Sequence, residues 1–429
     1  MGSASPYRSR PSLPFPLLIA LALLALPAYP TARQEPGETA AGRIVYLVRH
    51  AEKAGTVGDV PLTDAGRRRA EDLADLLADA GIRTVLTTDF IRTRRTAAPL
   101  ATEGGLHPLL YDPDRLAAAA ERIRGLPCPV LVVGHSDTTP ALVDALGGDP
   151  GPPIPEQEYD RLYRLEITDR GVRTRVLRFG TRTFPDPVDL RILTYNIHHG
   201  EGTDGIIDLE RIARVIGEAS PDAAVLQEVD AGTERAGGAD QAARIGDLLG
   251  WEHAFAGAMP YQGGSYGEAL LSPHPFVRVG FHPLPHLPHH EPRTVILGEI
   301  LSASDGPPIL LAGTHLDHTR DGADRLAQAR ETRRFLERGG GGRPMVLAGD
   351  LNAVPGSAVL AVFAEGWKDA GARAGATFPS GAPSRRIDYV LAAPAERWVV
   401  ADAVVLDEPV ASDHAPLLVE LQYLPPAGG

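Results

Sequence analysis

Short apolar runs that stop abruptly at polar residues recur along this chain. Met345-Val346-Leu347-Ala348 reads as a buried strand that ends at Gly349, with Asp350 and Asn352 at its carboxyl end. Residues two apart on an extended backbone point the same way, so both side chains are expected to enter one cleft. Earlier, residues 44–48, 84–87 and 130–133 are strand candidates, and Thr63 can cap a helix running to about Ala80. Leu73, Leu76 and Leu77 form the apolar face of that helix, and Gly81 stops it. Strands alternating with helices predict an α/β unit with a mainly parallel sheet, whose sites lie at strand carboxyl ends. Arg49, His50 and His135 occupy such places.

Residues 184–187 read as a short linker, after which a second series begins. Strands are expected at 190–194, 223–226, 295–300, 309–312, 387–391 and 417–421, and helices at 208–218 and 325–336. So many strands fit two packed sheets flanked by helices. The expected division is 1–42, 43–183 and 184–429. The first piece carries Arg8 and Arg10 ahead of an apolar stretch over 13–28, then a linker. A basic start before ~15 apolar residues reads as a secretory signal, being short for a membrane span. Ala28 and Ala32 are cleavage candidates; left uncleaved, the segment would be an N-terminal membrane anchor.

Charge changes the picture in one respect. The 429 residues carry a net charge of -13, and the region from Phe184 onward accounts for -14 of it, while 43–183 is neutral. An acidic region can draw in a cation. It disfavours unspecific binding to DNA or RNA, which depends on clustered Lys and Arg. The single cysteine, Cys128, excludes an intrachain disulfide and any cysteine-based metal site.

Two constellations carry chemistry. In the first, Arg49-His50-Ala51-Glu52 joins Arg92 and Gly134-His135-Ser136. A neutral imidazole can attack a phosphoryl group in line, arginines can grip its oxygens, and no metal is required. The set resembles the histidine phosphatase (phosphoglycerate-mutase-like) superfamily over about 43–182. The resemblance implies His50 as nucleophile with Arg49, Arg92 and His135 around the phosphate. Glu52, Glu103, Asp112 and Asp114 are candidates for the proton donor, and Asp137 adds negative charge beside the pocket.

In the second, Asn196, Glu228, His315, Asp350, Asn352, Asp388, Asp413 and His414 each lie at or just beyond an apolar run. Hard oxygen ligands, an imidazole and an amide suit metal-assisted phosphoester hydrolysis. The motifs Leu193-Thr194-Tyr195-Asn196, Gln227-Glu228, Thr314-His315, Gly349-Asp350-Leu351-Asn352, Ile387-Asp388 and Ser412-Asp413-His414 follow in order. Together they resemble the endonuclease/exonuclease/phosphatase superfamily, which includes deoxyribonucleases, neutral sphingomyelinases and inositol-polyphosphate 5-phosphatases. That resemblance implies a four-layer αββα sandwich behind a three-layer αβα domain. It implies Mg²⁺ or Mn²⁺ on Glu228, with Asn196 and Asp413 close by. His414, oriented by Asp388, would activate water or steady the phosphorane, and Asp350 competes for the base role. Asn352 would fix nucleophile or phosphate, and His315 would bond a phosphate oxygen or act as acid.

The expected substrate is a small phosphorylated molecule or a phospholipid headgroup. A secreted nuclease is the alternative, as is a first domain that only binds phosphate. The histidines His282, His286, His289 and His290 are interleaved with prolines and read as a solvated loop.

Overall fold

The computed structural model describes residues 42–301 and 306–427. The basic and apolar N-terminal segment, with Ala28 and Ala32, lies outside the described residues. Among the described residues, no helix is long and apolar enough to cross a membrane.

The first half is one sheet between two helical layers. Its strands are β1 (Arg43–Arg49), β2 (Thr84–Thr87), β3 (Leu109–Leu110), β4 (Val130–Gly134), β5 (Arg161–Thr168) and β6 (Gly171–Arg178), in the order β3-β2-β4-β1-β5-β6. The pairs β3-β2, β2-β4 and β4-β1 are parallel, whereas β5 and β6 add an antiparallel hairpin. Alternate residues of β1 and β4 serve opposite faces. Val45, Leu47, Val130 and Val132 pack on α3 (Leu116–Gly125) and α4 (Thr138–Ala145). Val48, Leu131 and Val133 pack on α1 (Asp64–Leu77) and α2 (Ile91–Glu103). Thr63 caps α1 as expected, its hydroxyl accepting from the Gly66 N–H. Leu76, however, is 47% exposed, because the buried stripe runs through Leu73, Ala74 and Leu77 instead.

The second half has two six-stranded sheets face to face. One has the order β17-β18-β7-β8-β10-β9, from β7 (Val188–Asn196), β8 (Ala223–Ala231), β9 (Glu252–Tyr261), β10 (Gly264–Ser272), β17 (Trp398–Val405) and β18 (Leu417–Tyr423). The other has the order β11-β12-β13-β14-β16-β15, from β11 (Phe276–Pro283), β12 (Thr294–Ile300), β13 (Ile309–His315), β14 (Met345–Asp350), β15 (Lys368–Asp369) and β16 (Asp388–Ala393). Helices α5 (Leu209–Ala219) and α6 (Gln241–Leu249) cover the first sheet. Helices α7 (Ala323–Gly340) and α8 (Ala358–Val362) cover the second. The result is the mixed α/β, four-layer arrangement.

The layer between the sheets shows how the core turns into a site. Its apolar rows include Leu190 and Ile192 on β7, Leu311 on β13, Val346 and Ala348 on β14, and Val390 and Ala392 on β16. Farther along each row the side chains become polar, all toward one end: Thr194 and Asn196, His315 beyond Gly313, Asp350, and Asp388 on the antiparallel neighbour. Strand periodicity delivers these groups to one edge of a dry core.

The two halves meet along β6, β17 and β18. Gln422 accepts from the Val176 N–H at 2.7 Å, Lys368 pairs with Asp149 at 2.9 Å, and Val399 and Leu424 join the core of the first half.

Candidate active sites

In the second half, Asn196 Nδ2 bonds Glu228 Oε1 at 2.9 Å and lies 3.3 Å from Asp350 Oδ2. Asp350 Oδ2 is also 3.4 Å from His315 Nε2 and 3.7 Å from His414 Nε2. The other nitrogen of His414, Nδ1, is 3.0 Å from Asp388 Oδ2. Asn352 Nδ2 sits 3.0 Å from His315 Nε2, and its backbone N–H donates to Asp350 Oδ1 at 2.8 Å. Seven of the eight predicted residues thus share one contiguous network. Asp413 is half-buried, pairs its carbonyl with the Ser380 N–H, and belongs to none of the three groups of His, Asp and Glu whose ligand atoms converge within 4.8 Å.

The backbone is bent to make this possible. Glu228 has φ 60° at a bulge, where the pairing of β8 with β10 slips between Gly267 and Ala269. A bulge re-aims a side chain at the cost of one ladder bond. Asn352 does not extend the strand as the alternation predicts. It has φ 47°, a left-handed turn that folds its amide back onto His315 and the Leu316 carbonyl. His198 and His199 are also left-handed, each with φ 45°. Strained positions of this kind persist where the surroundings fix them, which is typical of sites.

Electrostatics divide the network. Burial and the Asp388 charge push the Asp350 carboxyl up to about 7. Burial pulls His414 down, but the bonded Asp388 carboxylate, with Asp350 and Asp413, carries it up to about 10. Burial and the Arg293 charge hold His315 well below its usual value. Arg293 NH1 donates to His315 Nδ1 at 3.1 Å, while Nε2 faces both the Asn352 amide and the Asp350 carboxyl.

Sequence reasoning missed four participants. Arg293, 2% exposed, links His315 to the Tyr266 hydroxyl at 3.4 Å. Glu268 is fully buried with neither carboxylate oxygen hydrogen-bonded, and burial pushes it well above the usual carboxylate range. A lone charge in the apolar stretch leading to Leu270-Leu271 is the signal that marks it. His198 and His199 converge with Glu228 within 4.8 Å and stand directly after the Asn196 motif. Tyr261 and Tyr266 flank the tip of the β9–β10 hairpin, where Gln262 and Gly263 both have positive φ.

In the first half, His50 Nδ1 lies 2.8 Å from the Ala51 carbonyl, which fixes its proton there and leaves Nε2 with its lone pair. Burial, with the Arg49, His135 and Arg92 charges, pushes His50 down to about 3. His135 faces it with ring centroids 5.4 Å apart; its Nε2 contacts Thr88 Oγ1 at 3.0 Å and its Nδ1 lies 3.4 Å from Arg92 NH2. Arg49 has a bracing task the sequence did not reveal. Its NH1 donates to the carbonyls of Pro155, Glu156 and Glu158, and its guanidinium lies 4.2 Å above the Tyr159 ring. The buried Nε groups of Arg49 and Arg92 have no protein partner.

Of the proton-donor candidates, Glu52 is held by Arg69, with Nε and NH2 both on Oε1 at 2.9 and 2.8 Å. Asp112 caps the Asp114 N–H at 2.9 Å. Glu156, unremarked in the sequence, reaches Arg49 at 3.2 Å and Lys53 at 3.5 Å, and the Tyr159 ring lies tilted beside His50 with centroids 6.2 Å apart. Asp137 caps α4 by accepting from the Thr138 N–H.

Family models bear on both halves. Residues 193–414 match the model described as Endonuclease/Exonuclease/phosphatase family, which is more than half of the chain. The chain belongs to the Endonuclease/Exonuclease/phosphatase family. A second model, the histidine phosphatase superfamily (branch 1), matches residues 45–114. A probable phosphoglycerate mutase, GpmB, from Cronobacter sakazakii is 36% identical over 101 residues, 22% of this chain and 43% of that protein. The chain thus spans less than half the length of this curated relative. Among solved structures, an endonuclease/exonuclease/phosphatase from Beutenbergia cavernae is 28% identical, with a TM-score of 0.46 over 56% of this chain and 72% of that one. A mannosyl-6-phosphatase from Bacteroides thetaiotaomicron is 19% identical, with a TM-score of 0.46 over 54% of this chain and 99% of that one.

In this Endonuclease/Exonuclease/phosphatase member, the donors at the Glu228 end fit a divalent cation. They are the Glu228 carboxylate, two imidazoles and the Asn196 amide. Among the described residues, Glu228 has no cationic partner of its own.

Proposed function

We propose that the protein is a two-site hydrolase of phosphoester bonds. The second half is a metal-dependent phosphodiesterase or phosphatase, and the first is a metal-independent phosphomonoesterase working through a phosphohistidine. The observation that carries the first assignment is the Asp388–His414–Asp350 alignment, with His315, Asn352 and Asn196–Glu228 around the same carboxylate. A divalent ion on Glu228 would neutralise phosphate charge and stabilise the leaving oxygen. The protein's own groups do the rest. Asp388 orients His414 and keeps it protonated, so that its Nε2–H meets a phosphoryl oxygen. Asn352 and His315 hold a second oxygen, and Asp350 takes the proton of the attacking water.

For the first half, support comes from the neutral His50 with Nε2 free and the two buried arginine Nε groups that lack a protein partner. Its Nε2 would displace the leaving oxygen from phosphorus, and water would then release phosphate from the imidazole. Hydrolysis of a diester leaves a monoester, so the two sites can act in sequence on one small phosphorylated substrate or phospholipid headgroup, outside the cytoplasm if the N-terminal segment directs export. The acidic second half speaks against nucleic acid as the preferred substrate.

The test is Glu228→Gln. It should abolish metal-dependent hydrolysis and leave the monoesterase intact. Undiminished diester turnover in this variant would remove Glu228 from the metal site.

A further inference from the structure

The histidine-rich segment before Arg293 reads in sequence as a solvated loop, and for His286 and His289, both exposed, the structure agrees. His282 departs from that reading: it lies on β11, stacks on Phe335 and pairs with Glu331. His290 is different. It turns toward α7, where Nδ1 lies 2.7 Å from Asp324 Oδ2. One ligand atom from each of His290, Asp317 and Asp324 lies within 4.8 Å of the other two.

Both carboxylates are nearly sealed from solvent: Asp317 is 1% exposed and Asp324 5%. Asp317 Oδ2 accepts from the Thr319 N–H and hydroxyl, but Asp317 Oδ1 is buried with no partner. Asp324 Oδ2 also accepts from the Leu287 N–H at 2.9 Å. The Arg325 guanidinium donates to the carbonyls of Asp317 and Thr319 rather than to either carboxylate. Among the described residues, His290 is the one side chain that forms an ion pair with either acid. Two buried carboxylates sharing one imidazole are poorly compensated, and an unpaired buried anion is costly.

We propose that His290, Asp317 and Asp324 form a second divalent-metal site, separate from the Glu228 end. One imidazole nitrogen with two carboxylate oxygens suits a borderline ion such as Zn²⁺ or Mn²⁺ better than Mg²⁺, which favours all-oxygen ligands. His290 is partly exposed, so an ion has a path from solvent, and water completes the coordination. The site joins three pieces of the catalytic surround. Asp317 follows His315 by two residues, Asp324 opens α7, and His290 sits three residues before Arg293. Gln328 ties the same pieces, accepting from the Asp317 N–H and donating to the Pro285 carbonyl. A bound ion would lock the segment that presents Arg293 to His315.

The experiment uses the full chain carrying Glu228→Gln, so that the catalytic ion does not enter the count. Chelator-treated protein is titrated with Zn²⁺ by calorimetry, and its melting temperature is followed. The Glu228→Gln protein should bind one more Zn²⁺ than Glu228→Gln/Asp317→Asn, and Zn²⁺ should raise its melting temperature by a few degrees while leaving the double variant unmoved. Glu228→Gln/His290→Ala should show the same loss; because His290 lies at the solvent edge, this variant keeps the test valid if Asp317→Asn misfolds. An unchanged Zn²⁺ count in either folded double variant would overturn the proposal and reduce His290–Asp324 to an ion pair. Failure of Glu228→Gln to abolish diester turnover would instead strike the Proposed function and leave this count unaffected.

Discussion

Two buried histidines stand at the centres of the two sites, and their neighbours set them to opposite charge. His50 is 3% exposed and His414 5% exposed, so burial works against the imidazolium in both. At His50, arginines surround the ring, the Ala51 carbonyl offsets only part of the effect, and the group falls to about 3. At His414, the bonded Asp388 carboxylate reverses the sign and lifts the group to about 10. The first arrangement suits a nucleophile that must keep its lone pair. The second suits a donor that must keep its proton. Companions rather than depth decide which chemistry a buried histidine can perform.

Removing the companion is the sharpest way to break this contrast. Asp388→Asn should cut diester turnover on the order of 10³-fold, since the imidazole loses both its orientation and its charge partner. Steady-state kinetics on a diester and a monoester check it: the monoester rate should not move. A loss shared by both substrates would mean that the two sites are not independent.

A second effect separates the sites along the pH axis. In the proposed reaction a neutral His50 is the reactive form, and it takes a proton only as pH falls toward about 3, with His135 doing so near 4. Phosphohistidine formation should therefore hold from pH 7 to 5 and fall as pH drops through 4 and 3. An ordinary histidine would lose this activity near pH 6.5. Single-turnover trapping across that range distinguishes the two; a midpoint near 6.5 would contradict a His50 held neutral by burial and by the arginines beside it.

The smallest effect concerns Asp137, next to His135. Its carboxylate caps α4, so Asp137→Ala should cost about 1 kcal/mol of stability and leave monoester turnover nearly unchanged. Chemical denaturation with parallel kinetics measures both. A large kinetic change without loss of stability would give Asp137 a role in the pocket.

Much of this was readable in the chain because strand periodicity is a strong signal. The runs at 345–348 and 387–391 placed Asp350 and Asp388 correctly, and Thr63 and Asp208 marked helix starts. What stayed hidden depended on local departures from periodicity or on tertiary contacts. The bulge at Glu228 and the left-handed turn at Asn352 alter direction without altering the apolar pattern. Arg293 and Glu268 gain meaning only when the two sheets stack and bring them beside His315 and Glu228. The bracing of Arg49 requires the loop at 155–158, more than a hundred residues away. His290 looked like its neighbours until α7 was placed beside it.

The central claim is that one chain holds a metal-dependent diester site and a metal-free covalent monoester site. It is tested most directly by measuring turnover of a generic monoester and a generic diester by the full chain, with and without exhaustive chelation, for the wild type and for His50→Ala. The account predicts that chelation stops the diester reaction alone and that His50→Ala stops the monoester reaction alone. If chelation stops both reactions, or if His50→Ala leaves monoester turnover unchanged, the two-site account is wrong.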